Sequence, residues 1–413
     1  MITREEFPYL QELLINDAYA VKGLRVPVFE PGQAFKHLVL TGRNGSGKTT
    51  VLQELSEELK SELNTSLGPS KVRNGLSALS KLAGQSEELE QAHNQFLASY
   101  KIIPSFSAKQ QNGSRNLSSF RDRFLVAFFR EIRRIKVEKV DTVISDDELT
   151  KQLLERGKRG SSTELFKQFL VNKKVAQVFD ALEGRELLVQ AKEKFFGSLE
   201  SQLGNMFNDK KLKLEFVREK FEFYLRYSDG RLITFNQLPA GFSAFLSILA
   251  DLLMRVELFR EQANDYSYDP CGFVLIDEPE THLHLEMQYQ ILPLLTSLFP
   301  NLQFIVATHS PAVASSIKNA TVFDLSTGQT MGDTAAGSSF SELMQTHFGL
   351  ENEYSNVADA ILTEVAEIVE MTDRGAARHR LQRLLDEQGR YMSPVLRLDV
   401  QAHLLHLQRE PTA

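Results

Sequence analysis

One run constrains this chain more than any other: Val39-Leu40-Thr41-Gly42-Arg43-Asn44-Gly45-Ser46-Gly47-Lys48-Thr49-Thr50. The apolar stretch His37-Leu38-Val39-Leu40 reads as a buried strand. It turns through glycines straight into a helix opened by Thr50-Val51-Leu52-Gln53-Glu54-Leu55. Such a segment fits G-x-x-x-x-G-K-[ST], the phosphate-binding loop, and demands a sheet whose strand ends face helix starts. Gly42, Gly45 and Gly47 can take left-handed angles without a Cβ clash. The amides of the loop then point inward as an anion nest at the positive end of the helix. Lys48 supplies a point charge for the β- and γ-phosphates, and the Thr49 hydroxyl suits Mg²⁺, which takes few protein ligands. The expected ligand is a nucleoside triphosphate with magnesium, bound by Gly42, Arg43, Asn44, Gly45, Ser46, Gly47, Lys48, Thr49 and Thr50.

Far downstream, Gly272-Phe273-Val274-Leu275-Ile276 is a continuous apolar run, the pattern of a central parallel strand covered on both faces. It ends in Asp277-Glu278-Pro279-Glu280. Open α/β sheets bind ligands at the carboxyl ends of their strands. Asp277 is therefore expected on the metal and Glu278 on the attacking water, since phosphoryl transfer asks mainly for positioning and charge neutralisation. A further buried strand, Leu302 to Ala307, ends in Thr308-His309-Ser310-Pro311, and His309 is expected to sense the γ-phosphate.

Gly42–Thr49, Leu275–Glu278 and Thr308-His309-Ser310 resemble the Walker A, Walker B and switch-histidine motifs of ABC-type ATPases. The stretch Ile276-Asp277-Glu278-Pro279-Glu280-Thr281-His282-Leu283-His284 resembles the branch holding RecF-like proteins, overcoming-lysogenization-defect nucleases and ATPases of bacterial anti-phage systems. The resemblance covers residues 10–60 and 212–330. It implies an α/β fold: a P-loop core with a mixed sheet flanked by helices and antiparallel strands, a mainly helical insertion, and a helical C-terminal tail. It also implies ATP and Mg²⁺ as cofactors, with Lys48, Glu278 and His309 catalytic and Thr49 and Asp277 on the metal. ABC-type proteins close a signature loop onto the partner subunit's nucleotide. The matching stretch is Leu238-Pro239-Ala240-Gly241-Phe242-Ser243, with Gly241 and Ser243 as the residues acting in trans. Pro239 departs from the pattern, standing where a serine hydroxyl belongs. The alternative for this stretch is a plain capped helix start. A Q-loop glutamine is left unassigned, Gln110 and Gln111 being the candidates.

At 413 residues the chain can hold two domains and a large core, and its 42% hydrophobic and 24% charged content is that of a globular protein. A single cysteine, Cys271, excludes an internal disulfide and fits a reducing compartment. No apolar run reaches the roughly eighteen residues of a membrane span, and the N-terminus lacks a signal-peptide layout, so a cytoplasmic location without membrane contact is expected. The net charge of −7 argues against a dominant nucleic-acid surface. Locally, Lys101, Lys109, Arg115, Arg121, Arg123, Arg130, Arg133, Arg134, Lys136 and Lys139 outnumber their acidic neighbours. That cluster reads as a solvated surface with some arginines near nucleotide or a partner, and with DNA contact as the alternative.

Four segments are expected: 1–63, the first half of the core; 64–211, a mainly helical insertion with one core strand near 124–129; 212–330, the second half; and 331–413, a helical region. Leu13 to Phe29 reads as short strands at the sheet edge. Helical pieces are expected near 76–82 and 87–100, and a loop at 113–116. Leu212–Val217, Phe221–Tyr227 and Leu232–Phe235 alternate as antiparallel strands, with a turn at Ser228-Asp229-Gly230. Thr321–Leu325 is expected as the last strand and 327–339 as a linker. Ala358, Ile361, Leu362, Val365 and Ile368 form an apolar helical stripe. No second catalytic centre is evident. By resemblance the chain is the ATPase of a two-component defence system of the Septu, PARIS or retron-associated kind. It would act as a homodimer or larger homo-oligomer with a separate nuclease or toxin. The alternatives are a RecF- or SMC-like ATPase acting on DNA, and a nucleotide-held scaffold with little hydrolysis.

Overall fold

The computed structural model describes residues 2–64, 100–107, 117, 124–131, 133, 136–159, 162–331, 337, 342–344 and 356–408. Two compact units emerge, 1–340 and 341–413.

The first unit is built on a six-stranded sheet of order β12-β11-β3-β10-β9-β5. Its strands are β3 (His37–Thr41), β5 (Leu125–Phe129), β9 (Gly272–Asp277), β10 (Leu302–Ala307), β11 (Ala320–Asp324) and β12 (Gln329–Thr330). β3, β9 and β10 are buried at every residue, as strands covered on both faces must be. Parallel pairing sets Ala307 beside both Leu40 and Asp277, so three strands end level at one edge. The strand expected near 124–129 is β5, parallel to β9. Two expectations change. β1 (Leu10–Ala18) and β2 (Val21–Pro27) do not extend this sheet; with β4 (Ile102–Phe106) they make a separate antiparallel sheet of order β2-β1-β4. Nor is β11 last, because the chain turns at 325–328 and returns as β12, antiparallel to it.

Helix α1 (Lys48–Asn64) packs its apolar residues against both sheets. Val51, Leu52, Leu55 and Leu59 share one core cluster with Leu13 and Ile15 of β1 and with Leu38, Phe273 and Ile305 of the large sheet. Each is at most 1% exposed. Burying a leucine side chain contributes about 1.5–3 kcal/mol, so this helix and the loop feeding it are firmly seated.

Between β5 and the next strands lie α2 (Asp146–Arg159), α3 (Phe166–Leu182) and α4 (Glu186–Met206). Asp146, Asp147 and Glu148 occupy the first turn of α2, where carboxylates oppose the helix dipole favourably. β6 (Lys213–Val217), β7 (Glu222–Arg226) and β8 (Leu232–Ile233) form a third, antiparallel sheet. The turn at 228–230 closes with the Gly230 amide on the Tyr227 carbonyl. Next comes α5 (Ala240–Ala263), apolar and mostly buried, with Asn264 in the left-handed position that ends it. α6 (Leu285–Leu298) and the single turn α7 (Pro311–Ala314) follow β9 and β10.

The second unit holds α8 (Asn356–Val369), α9 (Arg374–Gln388) and α10 (Pro394–Gln408). Ile361, Val365 and Ile368 of the expected stripe pack with Leu381, Leu396 and Val400 in a core of their own, with Ala358 and Leu362 against it. The helical pieces near 76–82 and 87–99, the loop at 113–116, the candidates Gln110 and Gln111 and most of 327–339 lie outside the described residues. Among the described residues no helix is long and apolar enough to cross a membrane.

Candidate functional site

Where β3 ends, the backbone takes positive φ at Gly42, Gly45 and Gly47. Gly42 is confined twice over. Its φ is +130°, and a Cβ there would stand 2.8 Å from Ser326 Oγ and 2.9 Å from Ser46 Oγ. The turn after β11 braces the loop: Ser326 Oγ accepts the Arg43 amide at 2.8 Å, and Asp324 Oδ1 accepts the Ser326 amide at 2.7 Å. Lys48 is only 5% exposed. Its ammonium folds back into the loop and donates to the carbonyls of Gly42 (2.9 Å) and Arg43 (3.3 Å) and to Ser46 Oγ (3.5 Å). Burial depresses its pKa, against the pull of Glu278, Asp277, Asp324 and Glu280.

Across β10, β9 delivers Asp277, which is 2% exposed. Burial raises its pKa, while a hydrogen bond from the Thr49 side chain works the other way. Its Oδ1 is buried without a partner. A hydroxyl and a carboxylate with an unsatisfied oxygen are hard oxygen donors, and they fit Mg²⁺, which completes its shell with waters and phosphate.

Glu278 follows in the left-handed region, φ +47°, and His282 ends the same turn at φ +65°. Non-glycine residues held there cost on the order of 1–3 kcal/mol and mark functional sites. The Glu278 amide donates to the Ala307 carbonyl at 2.9 Å, which keeps the turn on β10. Its carboxyl lies 3.3 Å from His309 Nε2 and accepts the His309 amide at 3.2 Å. Burial first, then hydrogen bonding and repulsion from Glu280, push Glu278 up to about 9. Burial and Lys48 push His309 down. Glu280 accepts from Thr308 Oγ1 at 2.5 Å and from the His309 amide at 2.9 Å, so it clamps the end of β10 to the end of β9.

The site thus brings together Lys48, Thr49, Asp277, Glu278 and His309, contributed by the ends of three adjacent parallel strands. The signature-like pair lies in the first turn of α5. Gly241 is buried in the first turn of α5, where a Cβ would stand 2.3 Å from the His282 carbonyl oxygen of the same chain. Ser243 is buried too, and its amide, expected to face a partner's nucleotide, donates to the Pro239 carbonyl at 2.9 Å. Only the amides before it in that turn lack a partner within the helix.

One arginine of the basic stretch joins the site. Arg133 belongs to the basic stretch expected on the surface, yet its guanidinium donates to the main-chain carbonyls of Asp277 (2.8 Å) and Glu278 (2.7 Å). Burial holds its pKa down at about 10. The available signal was its position four residues beyond a core strand. Elsewhere in that stretch Lys101 pairs with Glu54 at 2.6 Å and Lys139 with Asp141 at 2.7 Å, while Lys109, Arg115, Arg121, Arg123 and Arg134 lie outside the described residues.

A sequence model of the family described as "AAA domain, putative AbiEii toxin, Type IV TA system" matches residues 80–315. The phosphate loop lies ahead of the matched span. The chain is 40% identical over 93 residues to the retron Ec83 probable ATPase of Escherichia coli, covering 22% of this chain and 17% of that protein. It is 25% identical over 283 residues to the Septu protein PtuA of Bacillus thuringiensis, covering 66% of each. Both matches span less than two thirds of the relative's length. Among solved structures, the SMC head domain from Thermotoga maritima is similar at a TM-score of 0.35 and 13% identity, over 76% of this chain and 94% of that one.

Proposed function

We propose that this chain, which belongs to that AAA-domain family, is an ATPase that binds ATP with Mg²⁺ on the loop Gly42–Thr50 and hydrolyses it. The observation that carries the reading is the meeting of Lys48, Thr49, Asp277, Glu278 and His309 at the level ends of β3, β9 and β10. Lys48 already donates to loop carbonyls and would exchange them for phosphate oxygens. Thr49 and Asp277 would hold the metal, which when bound neutralises charge on the phosphates. Glu278 would orient the attacking water, and His309, on its carboxyl, would sense the γ-phosphate. Glu278→Gln should bind ATP normally and lose about 10²-fold or more in turnover. A phosphate-release assay beside fluorescent-nucleotide binding reads both quantities. Equal turnover in variant and wild type would remove the catalytic assignment.

The reading extends to a homodimer with ATP between Lys48 of one subunit and the start of α5 of the other. It extends also to a separate effector, a nuclease or toxin, in anti-phage defence. The relatives' names, a retron ATPase and a Septu protein, support that setting. Affinity capture of Glu278→Gln with ATP from host cells tests it. A stoichiometric protein partner supports the effector reading, and DNA without a protein partner supports action on DNA.

A second reading, a nucleotide-held scaffold with slow turnover, is favoured by Pro239 at the signature-like position and by the Ser243 amide being engaged inside its own helix. Tight ATP binding with turnover no faster than in Glu278→Gln would select it.

A further inference from the structure

Arg133 holds the two peptide groups that flank Glu278. The Asp277 carbonyl belongs to the peptide before the Glu278 Cα and the Glu278 carbonyl to the peptide after it. Arg133 Nη1 donates to the first at 2.8 Å and Nη2 to the second at 2.7 Å. One planar fork thus fixes both planes that define the backbone angles of Glu278. Glu278 sits at φ +47°, a conformation that persists only where its surroundings over-determine it. Arg133 Nη1 also donates to the Arg130 carbonyl, at the exit of β5.

Val137 is held as well. The Val137 amide donates to Asn236 Oδ1 at 3.0 Å, and Asn236 Nδ2 donates back to the Val137 carbonyl at 3.2 Å. Asn236 lies in the turn Phe235–Gln237, which leads through Leu238 and Pro239 into α5. At the start of α5, Gly241 rests on the His282 carbonyl, and His282 ends the turn that Glu278 begins. The contacts therefore run from Arg133 through Glu278 and His282 to Gly241, at the segment that Asn236 leads into.

We propose that Arg133 is a positioning residue which sets the main chain of Asp277-Glu278 and, through the turn that ends at His282, couples it to the start of α5. Nothing in the proposed chemistry requires Arg133 to touch nucleotide. It acts on the carboxyl that would orient the attacking water, and it ties that carboxyl's placement to the segment proposed to meet a second subunit. Lysine cannot reproduce the effect, because a single ammonium lacks the planar two-pronged geometry. The catalytic consequence rests on the ATPase reading, whereas the coupling does not.

The test combines hydrogen–deuterium exchange of the nucleotide-free full chain with kinetics, on wild type, Arg133→Met, Arg133→Lys and Asn236→Ala. Arg133→Met should speed amide exchange in 277–283 and also in 236–243. Asn236→Ala should speed exchange in 277–283, which that side chain does not touch. Where wild type hydrolyses ATP, Arg133→Met should lower kcat by about 10²-fold, the usual cost of a small misplacement, with ATP affinity little changed. Arg133→Lys should fall between. Unchanged exchange in 277–283 in both Arg133→Met and Asn236→Ala would overturn the proposal. So would a parallel loss of binding, turnover and melting temperature in Arg133→Lys, which would make the residue merely structural. If Arg133→Met does not fold, Arg133→Lys and Asn236→Ala carry the test. A wild type that binds ATP without hydrolysing it would defeat the ATPase reading and leave exchange to decide the coupling.

Discussion

His37 opens β3, five residues before the phosphate loop, and shows how a single side chain sets a condition on the whole fold. Its Nδ1 accepts the Phe304 amide at 3.0 Å inside the sheet. Burial, with a smaller push from Arg4, lowers its pKa to about 4. Above pH ~6.5 the imidazole is neutral both folded and unfolded, so it costs nothing. As pH falls below that, the unfolded chain takes up a proton that the folded chain refuses. Stability is then lost down to about pH 4, where the penalty levels off near 3 kcal/mol. Urea denaturation at pH 7 and pH 5 should show wild type weakening, and His37→Gln weakening less, since its amide oxygen can accept the same N–H without titrating. Parallel decline in both would show that other groups govern the acid limb. The buried strand was legible locally, but the partner of His37 was not, because it lies on a strand 267 residues away.

At the scale of elements, the helical insertion is fastened to the core by buried charge. Lys173 of α3 reaches Glu257 of α5 at 2.6 Å, and both side chains are nearly inaccessible. Arg260 joins Glu257 from one turn on, at 2.8 Å. Burial opposes ionisation of Glu257, but the two cations outweigh it and hold its carboxyl below the usual range. Removing one partner of a buried pair costs about 3–5 kcal/mol, because the other charge is left behind. Lys173→Met should fall at the low end, since Arg260 remains, while Lys173→Met with Glu257→Leu should recover part of the loss. Urea midpoints of the single and double variants would show it, and a double variant weaker than the single would contradict the account. The mainly helical character expected of 64–211 covers α3, and tertiary packing chose what it binds. The signature-like stretch makes the same point: Pro239 and the apolar residues after it announce a helix start, but only the fold reveals that Gly241 is needed for contact with the His282 carbonyl.

For the whole molecule, the proposed dimer is the property to measure. Glu278→Gln with ATP and Mg²⁺ should elute as a dimer by light scattering, and with ADP as a monomer. Lys48→Ala should stay monomeric in both, since the anion site loses its buried cation. A Glu278→Gln chain that is monomeric with saturating ATP would remove the sandwich arrangement and favour the scaffold reading. The antiparallel strands β6 to β8 and the six-stranded sheet with β5 all lie in the first unit. The β1–β2 strands did not join the large sheet, because β4, far along the chain, completes an antiparallel sheet with β1 instead.

Sequence alone determined the parts whose physics is local. Glycines at the turn, a helix start behind them, and carboxylates or a histidine closing fully apolar strands each declare themselves within about ten residues, because backbone angle, helix dipole and two-sided burial are local demands. Tertiary structure decided the rest: that those strand ends lie level and adjacent, that Arg133 belongs to the site rather than the surface, and that Gly241 meets its own chain. Each of these depends on a partner distant in sequence, and only the closing of the sheet brings such partners within hydrogen-bonding reach.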